Sequence, residues 1–318
     1  MWACRSRLAA HSARHQERAN PMKRVFIAGA TGYLGRHLCA EYQRRGFYVI
    51  ALVRNAPRAA PIAADQLVEA QATDPASLRG VMDGADLVVS SLGITRQTDG
   101  LGYRDVDYEA NLNLLREAEG AGVARFAYIH VLRAGDMARV PMVAAKSAFV
   151  AELRRSALAA TVIAPTGYFS DMGDVLNMAR SGRVWLFGDG SKRINPIHGA
   201  DLARATAEAT EAGAGWLDIG GPDVFTQREV AELAFACLGT SPRITLLPDI
   251  IRRIALRLLP IVAPRRISGP ARFFLSALAF DMVGECHGSR RLKDHFTESI
   301  AQTRPALLHP LATEGQKS

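Results

Sequence analysis

Lys23-Arg24-Val25-Phe26-Ile27-Ala28-Gly29-Ala30-Thr31-Gly32-Tyr33-Leu34-Gly35 reads as a buried strand, a glycine-rich turn and the start of a helix. Val25 to Ala28 is a short apolar run of β-branched and aromatic character, the pattern of a central parallel strand covered on both faces. Gly29, Gly32 and Gly35 follow at a spacing of three. Leu34, Leu38, Cys39 and Tyr42 then share one helical face, which ends in Arg44, Arg45 and a capping Gly46. A side chain on the first glycines would hold a pyrophosphate away from the backbone, and one on the last would push helix from strand. The helix N-terminus also offers unpaired N–H groups and a positive dipole end to phosphates. The stretch therefore predicts a dinucleotide site built from Gly29, Thr31, Gly32, Tyr33, Leu34 and Gly35. A tight turn with no ligand is the plainer alternative, and the second strand directly beyond, Phe47 to Val53, weighs against it.

That second strand ends at Arg54. NAD-preferring folds of this kind usually carry a carboxylate there for the ribose hydroxyls. Here the run is Arg54-Asn55-Ala56-Pro57-Arg58, and a guanidinium can pair with a 2′-phosphate and stack on adenine. The expected cofactor is NADP(H), with a solvated loop arginine as the alternative for Arg54. Further strands are expected at Leu67 to Ala70, Asp86 to Ser90, Ala124 to Val131 and Thr161 to Ala164. Between them lie predicted helices from Ala76 to Met82, Tyr103 to Ala121 and Val140 to Ser156. The alternation predicts an α/β fold with a doubly wound parallel Rossmann sheet.

The spacing GATGYLG resembles that of the extended and atypical short-chain dehydrogenase/reductase superfamily. Later blocks sharpen the resemblance: Pro165-Thr166-Gly167-Tyr168-Phe169-Ser170-Asp171, and Asn195-Pro196-Ile197-His198-Gly199-Ala200-Asp201-Leu202-Ala203. In this order they are similar to the NmrA-like, divinyl-reductase-like and NDUFA9-like group, over about residues 22 to 235. The resemblance implies that Asp74 sits beside the adenine and that the Ser90-Ser91-Leu92-Gly93 turn, with Ser91, passes under the cofactor. It implies that Pro165 to Tyr168 contact the nicotinamide end and that Lys146 holds the nicotinamide ribose. In the familiar short-chain reductases a tyrosine stands four residues before this lysine and shuttles the proton. Here that position is Met142, which cannot. The candidate catalytic residues are then Lys146 and His130 (at the end of the fifth strand, where a serine is commoner), with Tyr168 and His198 weaker candidates for the donor and water an alternative. Asp201 reads more simply as the cap of a helix from Leu202 to Thr210.

The chain has 318 residues, 48% hydrophobic, enough for a full α/β core. A formal charge of +8 attracts anions, but the arginines are scattered, so a phosphate-rich cofactor and a small-molecule substrate are expected and nucleic acid is not. Cys4, Cys39, Cys237 and Cys286 form no CxxC pair, which argues against a metal or disulfides and for a reducing cytoplasm. No apolar run approaches the roughly 20 residues that span a bilayer. Residues 1–21 are an Arg-rich arm that reads as disordered or as an upstream start before Met22. Residues 22–170 read as the NAD(P)-binding core, 171–303 as a smaller substrate lobe with segments returning to the core, and 304–318 as a tail. Thr226 to Glu229 is a capping box. Residues 244–264 are apolar and basic. Their apolar side either packs on the lobe or on another subunit of a homo-oligomer, or lies on an anionic membrane surface.

These expectations define an NADPH-dependent reductase with an atypical active site, acting on an apolar or conjugated ketone or alkene. The alternative is a redox sensor or structural subunit that binds NADP(H) without turnover.

Overall fold

The computed structural model describes residues 22–59, 61–94 and 100–303; the expected arm and tail lie outside them. The order begins β1 (Arg24–Ala28), α1 (Tyr33–Arg44), β2 (Tyr48–Val53), β3 (Gln66–Glu69) and β4 (Leu87–Ser90). It continues with α2 (Asn111–Gly120), β5 (Arg125–Ile129), α3 (Pro141–Arg155) and β6 (Ala159–Pro165). Beyond these come α4 (Gly173–Arg180), β7 (Val184–Phe187), β8 (Arg193–Ile194), α5 (Gly199–Glu211), β9 (Trp216–Gly220), β10 (Phe225–Thr226) and α6 (Gln227–Leu238). The last are β11 (Ile244–Leu247), α7 (Asp249–Val262), α8 (Arg265–Ala277), β12 (Glu285–Cys286) and α9 (Leu292–Thr303).

Eight strands form one parallel sheet in the order β12-β9-β6-β5-β4-β1-β2-β3. The order reverses between β1 and β4, and in such sheets ligands bind at the carboxyl ends of the strands beside that reversal. Both sheet faces are covered, as the continuous apolar runs of β1 and β2 require. On one face Leu34, Leu38, Cys39 and Tyr42 of α1 pack with Leu202 and Ala205 of α5. On the other, Leu114 and Ala118 of α2 pack with Phe149 and Leu153 of α3.

Residues largely beyond β6 form a further apolar cluster, where Phe169, Leu176, Val184, Phe235 and Phe296 meet. Two side chains stitch it to the sheet. Asn195, fully buried, donates through Nδ2 to Gly221 O (3.1 Å) and Gly284 O (3.0 Å), and its Oδ1 accepts from Gly284 N (3.0 Å). Asp201, 1% exposed, accepts from Ser289 N (3.1 Å), Arg290 N (3.0 Å) and Arg290 Nη1 (2.7 Å). Asp201 is thus an anchor for the segment before α9, not the cap of α5; His198 is the N-cap, its Nδ1 accepting from Ala200 N at 3.1 Å.

Three local expectations are corrected. Ala76 to Met82 is a run of turns, not a helix: Asp74 Oδ1 takes Ala76 N (3.0 Å), and Ser77 Oγ donates to Gln71 O and Asp74 O. Such local side-chain bonds compete with helical ones. The long helix from Tyr103 is π-wound over Arg104–Ala110 before α2 begins. There Asn111 Nδ2 donates to Val106 O (3.1 Å) and Asp107 O (3.2 Å), taking up carbonyls that a wider turn leaves free. Finally, 244–264 is strand β11, paired in parallel with β7, and then α7, whose apolar residues Ile250, Ile251, Ile254 and Leu258 are exposed and not packed on the lobe. The capping box of α6 is present, Thr226 with Glu229.

Candidate functional site

The glycine turn is as tight as its spacing implies. Gly29 has φ +81°, a left-handed conformation that favours glycine, and a Cβ on it would meet Ser91 Oγ at 2.8 Å. A Cβ on Gly35 would stand 2.0 Å from Gly29 O, inside the backbone that lets α1 approach β1. Gly32 N closes the turn onto Gly29 O at 3.0 Å. Gly32 precedes α1 as its N-cap, with no side chain of its own to satisfy the first N–H groups.

In front of this turn lies a cleft of about 250 Å³ lined by Gly29, Thr31, Gly32, Arg54, Ser91 and Gly93. Among the described residues no carboxylate lines it, and Arg54 is exposed at its β2 side. The cleft brings together the predicted Gly29, Gly32, Thr31, Arg54 and Ser91, while Tyr33, Leu34 and Gly35 do not line it. Asp74 does not line it; its carboxylate caps a turn instead. A more open groove next to it, lined by Arg104, Asp105, Glu109 and Arg116, lies away from the glycine turn.

Behind Gly93 is a buried charge pair. Lys146 Nζ stands 3.3 Å from Asp107 Oδ1, held by charge and not by a well-aligned hydrogen bond. The ammonium donates to Ile129 O (3.2 Å), lies 3.4 Å from Tyr128 Oη and sits over the Tyr128 ring. Asp107 is fully buried. Burial pushes its carboxyl above the ordinary range, opposed first by the Lys146 charge and then by the hydrogen bond from Ile94 N. A Cβ on Gly93 would come within 2.7 Å of Asp107 Oδ1 and 3.1 Å of Lys146 Nζ, so glycine here leaves only backbone between the cleft and the pair. Asn111, one turn on, accepts from Ser90 Oγ at 2.6 Å.

The proton-donor candidates stand apart from one another. His130 is 5% exposed, with Nδ1 lacking a partner among the described residues and the ring set edge-on to Trp216. Burial first, then the charges of Lys146 and Arg154, lower it to about 3, so the imidazole is neutral at pH 7. Tyr168 is half-buried beside Tyr33, with ring centroids 5.8 Å apart, and burial raises its phenol. Tyr33 Oη accepts from Gly199 N (3.0 Å), joining α1 to α5, while Leu34 and Gly35 are buried in the first turn of α1. Pro165 ends β6, its carbonyl accepting from Leu132 N. His198 is committed to its cap and is lowered to about 4, chiefly by burial.

Met142 is 8% exposed and packs with Tyr103, Ala145, Ile94 and Phe273. The Tyr103 hydroxyl in this patch is buried with no hydrogen-bond partner among the described residues, and burial with the nearby Asp107 charge pushes it up to about 12. Tyr103, Asp107, Tyr128 and Asn111 were not singled out as site residues from the sequence. Asp107 and Asn111, at i and i+4 beside the apolar positions Val106, Ala110 and Leu114, were the available signal: polar groups four apart next to a buried stripe.

The NAD(P)H-binding family model matches residues 29–212. The chain belongs to that family. Within it, the chain falls in the atypical short-chain reductase group. It is 32% identical over 251 residues to the chloroplastic divinyl chlorophyllide a 8-vinyl-reductase of Zea mays, covering 70% of this chain and 61% of that protein. It is 26% identical over 237 residues to the photosystem II assembly factor Ycf39 of Synechocystis, covering 72% of each. The chain thus spans about three fifths of the maize reductase and nearly three quarters of the assembly factor. Among solved structures, an NADPH-dependent quinone oxidoreductase of Escherichia coli in complex with NADPH superposes with a TM-score of 0.67 at 19% identity, over 88% of this chain and 99% of that one. That likeness concerns the fold. Among the described residues no helix is long and apolar enough to cross a membrane, and no cluster of metal-ligating side chains occurs.

Proposed function

We propose that this protein is an NADPH-dependent reductase of an apolar or conjugated ketone or alkene. The observation that carries the reading is the cleft running from the glycine turn past Arg54 to Gly93, with no carboxylate among its described lining residues, directly in front of the Lys146–Asp107 pair. Gly29, Thr31 and Gly32 would take the pyrophosphate against the backbone, Arg54 the 2′-phosphate, and Ser91 the face of the turn beneath the ribose. When bound, the reduced nicotinamide supplies hydride. Lys146 holds a positive charge behind Gly93, positioned by Asp107 and Ile129 O. The patch around Met142, with Ile94, Ala145 and Phe273, excludes water and favours an apolar substrate.

Reduction also needs a proton. His130 is neutral at pH 7 and so has no imidazolium proton to give. Tyr103 packs on Met142 and carries a hydroxyl with no partner among the described residues, so it takes the donor role that Met142 vacates; Tyr168 and water are the other sources.

The test is NADPH binding by the purified protein, followed by its oxidation with a panel of quinones, enones and vinyl tetrapyrroles. Turnover with one class is expected, reduced at least tenfold in Tyr103→Phe with NADPH affinity unchanged. Tight NADPH binding with no oxidation by any acceptor would overturn the reductase reading. It would favour the second one, a cofactor-binding protein without turnover, which draws support from the ammonium of Lys146 being already engaged and from the likeness to an assembly factor.

A further inference from the structure

The α7–α8 hairpin carries a feature that the cofactor site does not use. Six arginines and one carboxylate, Asp249, lie between residues 249 and 277. Along α7 the exposed apolar residues are Ile250, Ile251, Ile254, Leu258, Ile261 and Val262, the last two 80% and 73% exposed. At 3.6 residues per turn these six fall within an arc of about 120°. Arg253 and Arg257, both exposed, flank that arc on one side. The opposite side faces α8. Arg252 is 7% exposed, pairs with Asp249 at 2.6 Å and donates to Leu275 O of α8 at 2.9 Å. The helix is therefore tied to α8 through Arg252, with Leu256 and Leu259 half-buried on that side, and still shows a second apolar face to solvent, beyond what a helix that only completes a core requires. On α8, Ile267 and Phe274 are exposed at an i, i+7 spacing, with Arg266 exposed beside them.

We infer that this face of the hairpin lies on an anionic phospholipid bilayer. An in-plane helix needs a continuous apolar arc to enter the acyl boundary and cations at its edge to meet phosphate headgroups, and α7 has both. At 14 residues α7 is too short to span, so the contact is peripheral. A second copy of the chain fits less well. An antiparallel twofold contact through this arc would set Arg253 and Arg257 of both copies along one edge, while Asp249 is already held by Arg252 and Arg253. The inference is independent of whether the cofactor is turned over.

The experiment is co-sedimentation of the full chain with vesicles of phosphatidylglycerol and phosphatidylcholine, against vesicles of phosphatidylcholine alone. Binding to the anionic vesicles is expected to be at least tenfold stronger and to weaken with salt. Ile254→Asp/Leu258→Asp, at exposed positions that leave the core intact, should reduce it at least tenfold, whereas Val224→Asp, exposed elsewhere, should not. Absence of binding to anionic vesicles overturns the proposal, as does binding indifferent to Ile254→Asp/Leu258→Asp. A doubled mass in solution that returns to the monomer in that double variant would assign the face to a second copy instead.

Discussion

Replacing Lys146 by Met removes the cation behind Gly93 while keeping a side chain of similar reach. Asp107, fully buried, is left with the weak hydrogen bond from Ile94 N at 3.4 Å. Removing one partner of a buried pair typically costs about 3–5 kcal/mol, because the remaining charge has no compensation. The Lys146 side chain is 12% exposed, so some water already reaches the pair and the lower end, about 3 kcal/mol, is the expectation. For domains of 150–250 residues 1 kcal/mol moves Tm by about 2–4 °C, which gives a fall of roughly 6–12 °C near neutral pH. The pH dependence has a definite sign. Burial already holds the Asp107 carboxyl above its ordinary 3.8, and Lys146 is the largest influence opposing that rise, so without it the carboxyl climbs further. A group raised on folding contributes stability below its unfolded value and loses it as pH climbs through its folded value. The deficit of Lys146→Met should therefore be largest at about pH 8 and shrink toward about pH 5. Thermal unfolding followed by circular dichroism at the two pH values measures this, and Lys146→Met/Asp107→Asn should recover most of the loss. A loss of equal size at both, or no recovery in the double variant, would refute the reasoning.

Other expectations follow from the same geometry. Arg54→Ala should weaken NADPH by about tenfold to a hundredfold, the worth of one charge-assisted contact, and NADH little; equal losses in titration calorimetry would remove its 2′-phosphate role. Gly35→Ala drives a Cβ to 2.0 Å from Gly29 O, so it should cost about 1–3 kcal/mol in denaturant unfolding and abolish dinucleotide binding; retention of wild-type affinity would contradict the packing. His130 is lowered to about 3 by burial, so its contribution to stability is present above its ordinary value of 6.5 and is lost as pH falls toward 3, by up to about 1.4 kcal/mol per pH unit. His130→Phe should flatten that acid limb, and an unchanged limb would place the acid sensitivity elsewhere.

The parallel sheet was legible because its strands are short apolar runs punctuated by glycine and proline, and because α1 presents Leu34, Leu38 and Tyr42 at helical spacing. The glycine cleft was legible for the same reason: local stereochemistry dictates it. The charge pair was less so. Lys146 could be named from its helix, but its partner Asp107 sits on a different element, and nothing local announces that a carboxylate there is turned inward. The turns at Ala76 to Met82 escaped because Asp74 and Ser77 bond the backbone locally, a choice that apolar periodicity does not register. Asp201 was read as a cap because Asp at a helix start commonly is one; its true partners, Ser289 and Arg290, are distant in the chain.

That distance bears on how the molecule is born. Asp201 waits for donors 88 and 89 residues downstream, and Asn195 for a glycine 89 residues downstream. At synthesis rates of about 5–20 residues per second, roughly 4–18 s separate the emergence of each acceptor from that of its donor. Strands β1 to β6 can assemble meanwhile, but the edge strand β12 and the docking of α9 wait for residues 285–303. The protein therefore spends its first seconds as a sheet with an unfinished edge, which closes when the segment around Gly284 to Arg290 locks over the polar groups left open for it.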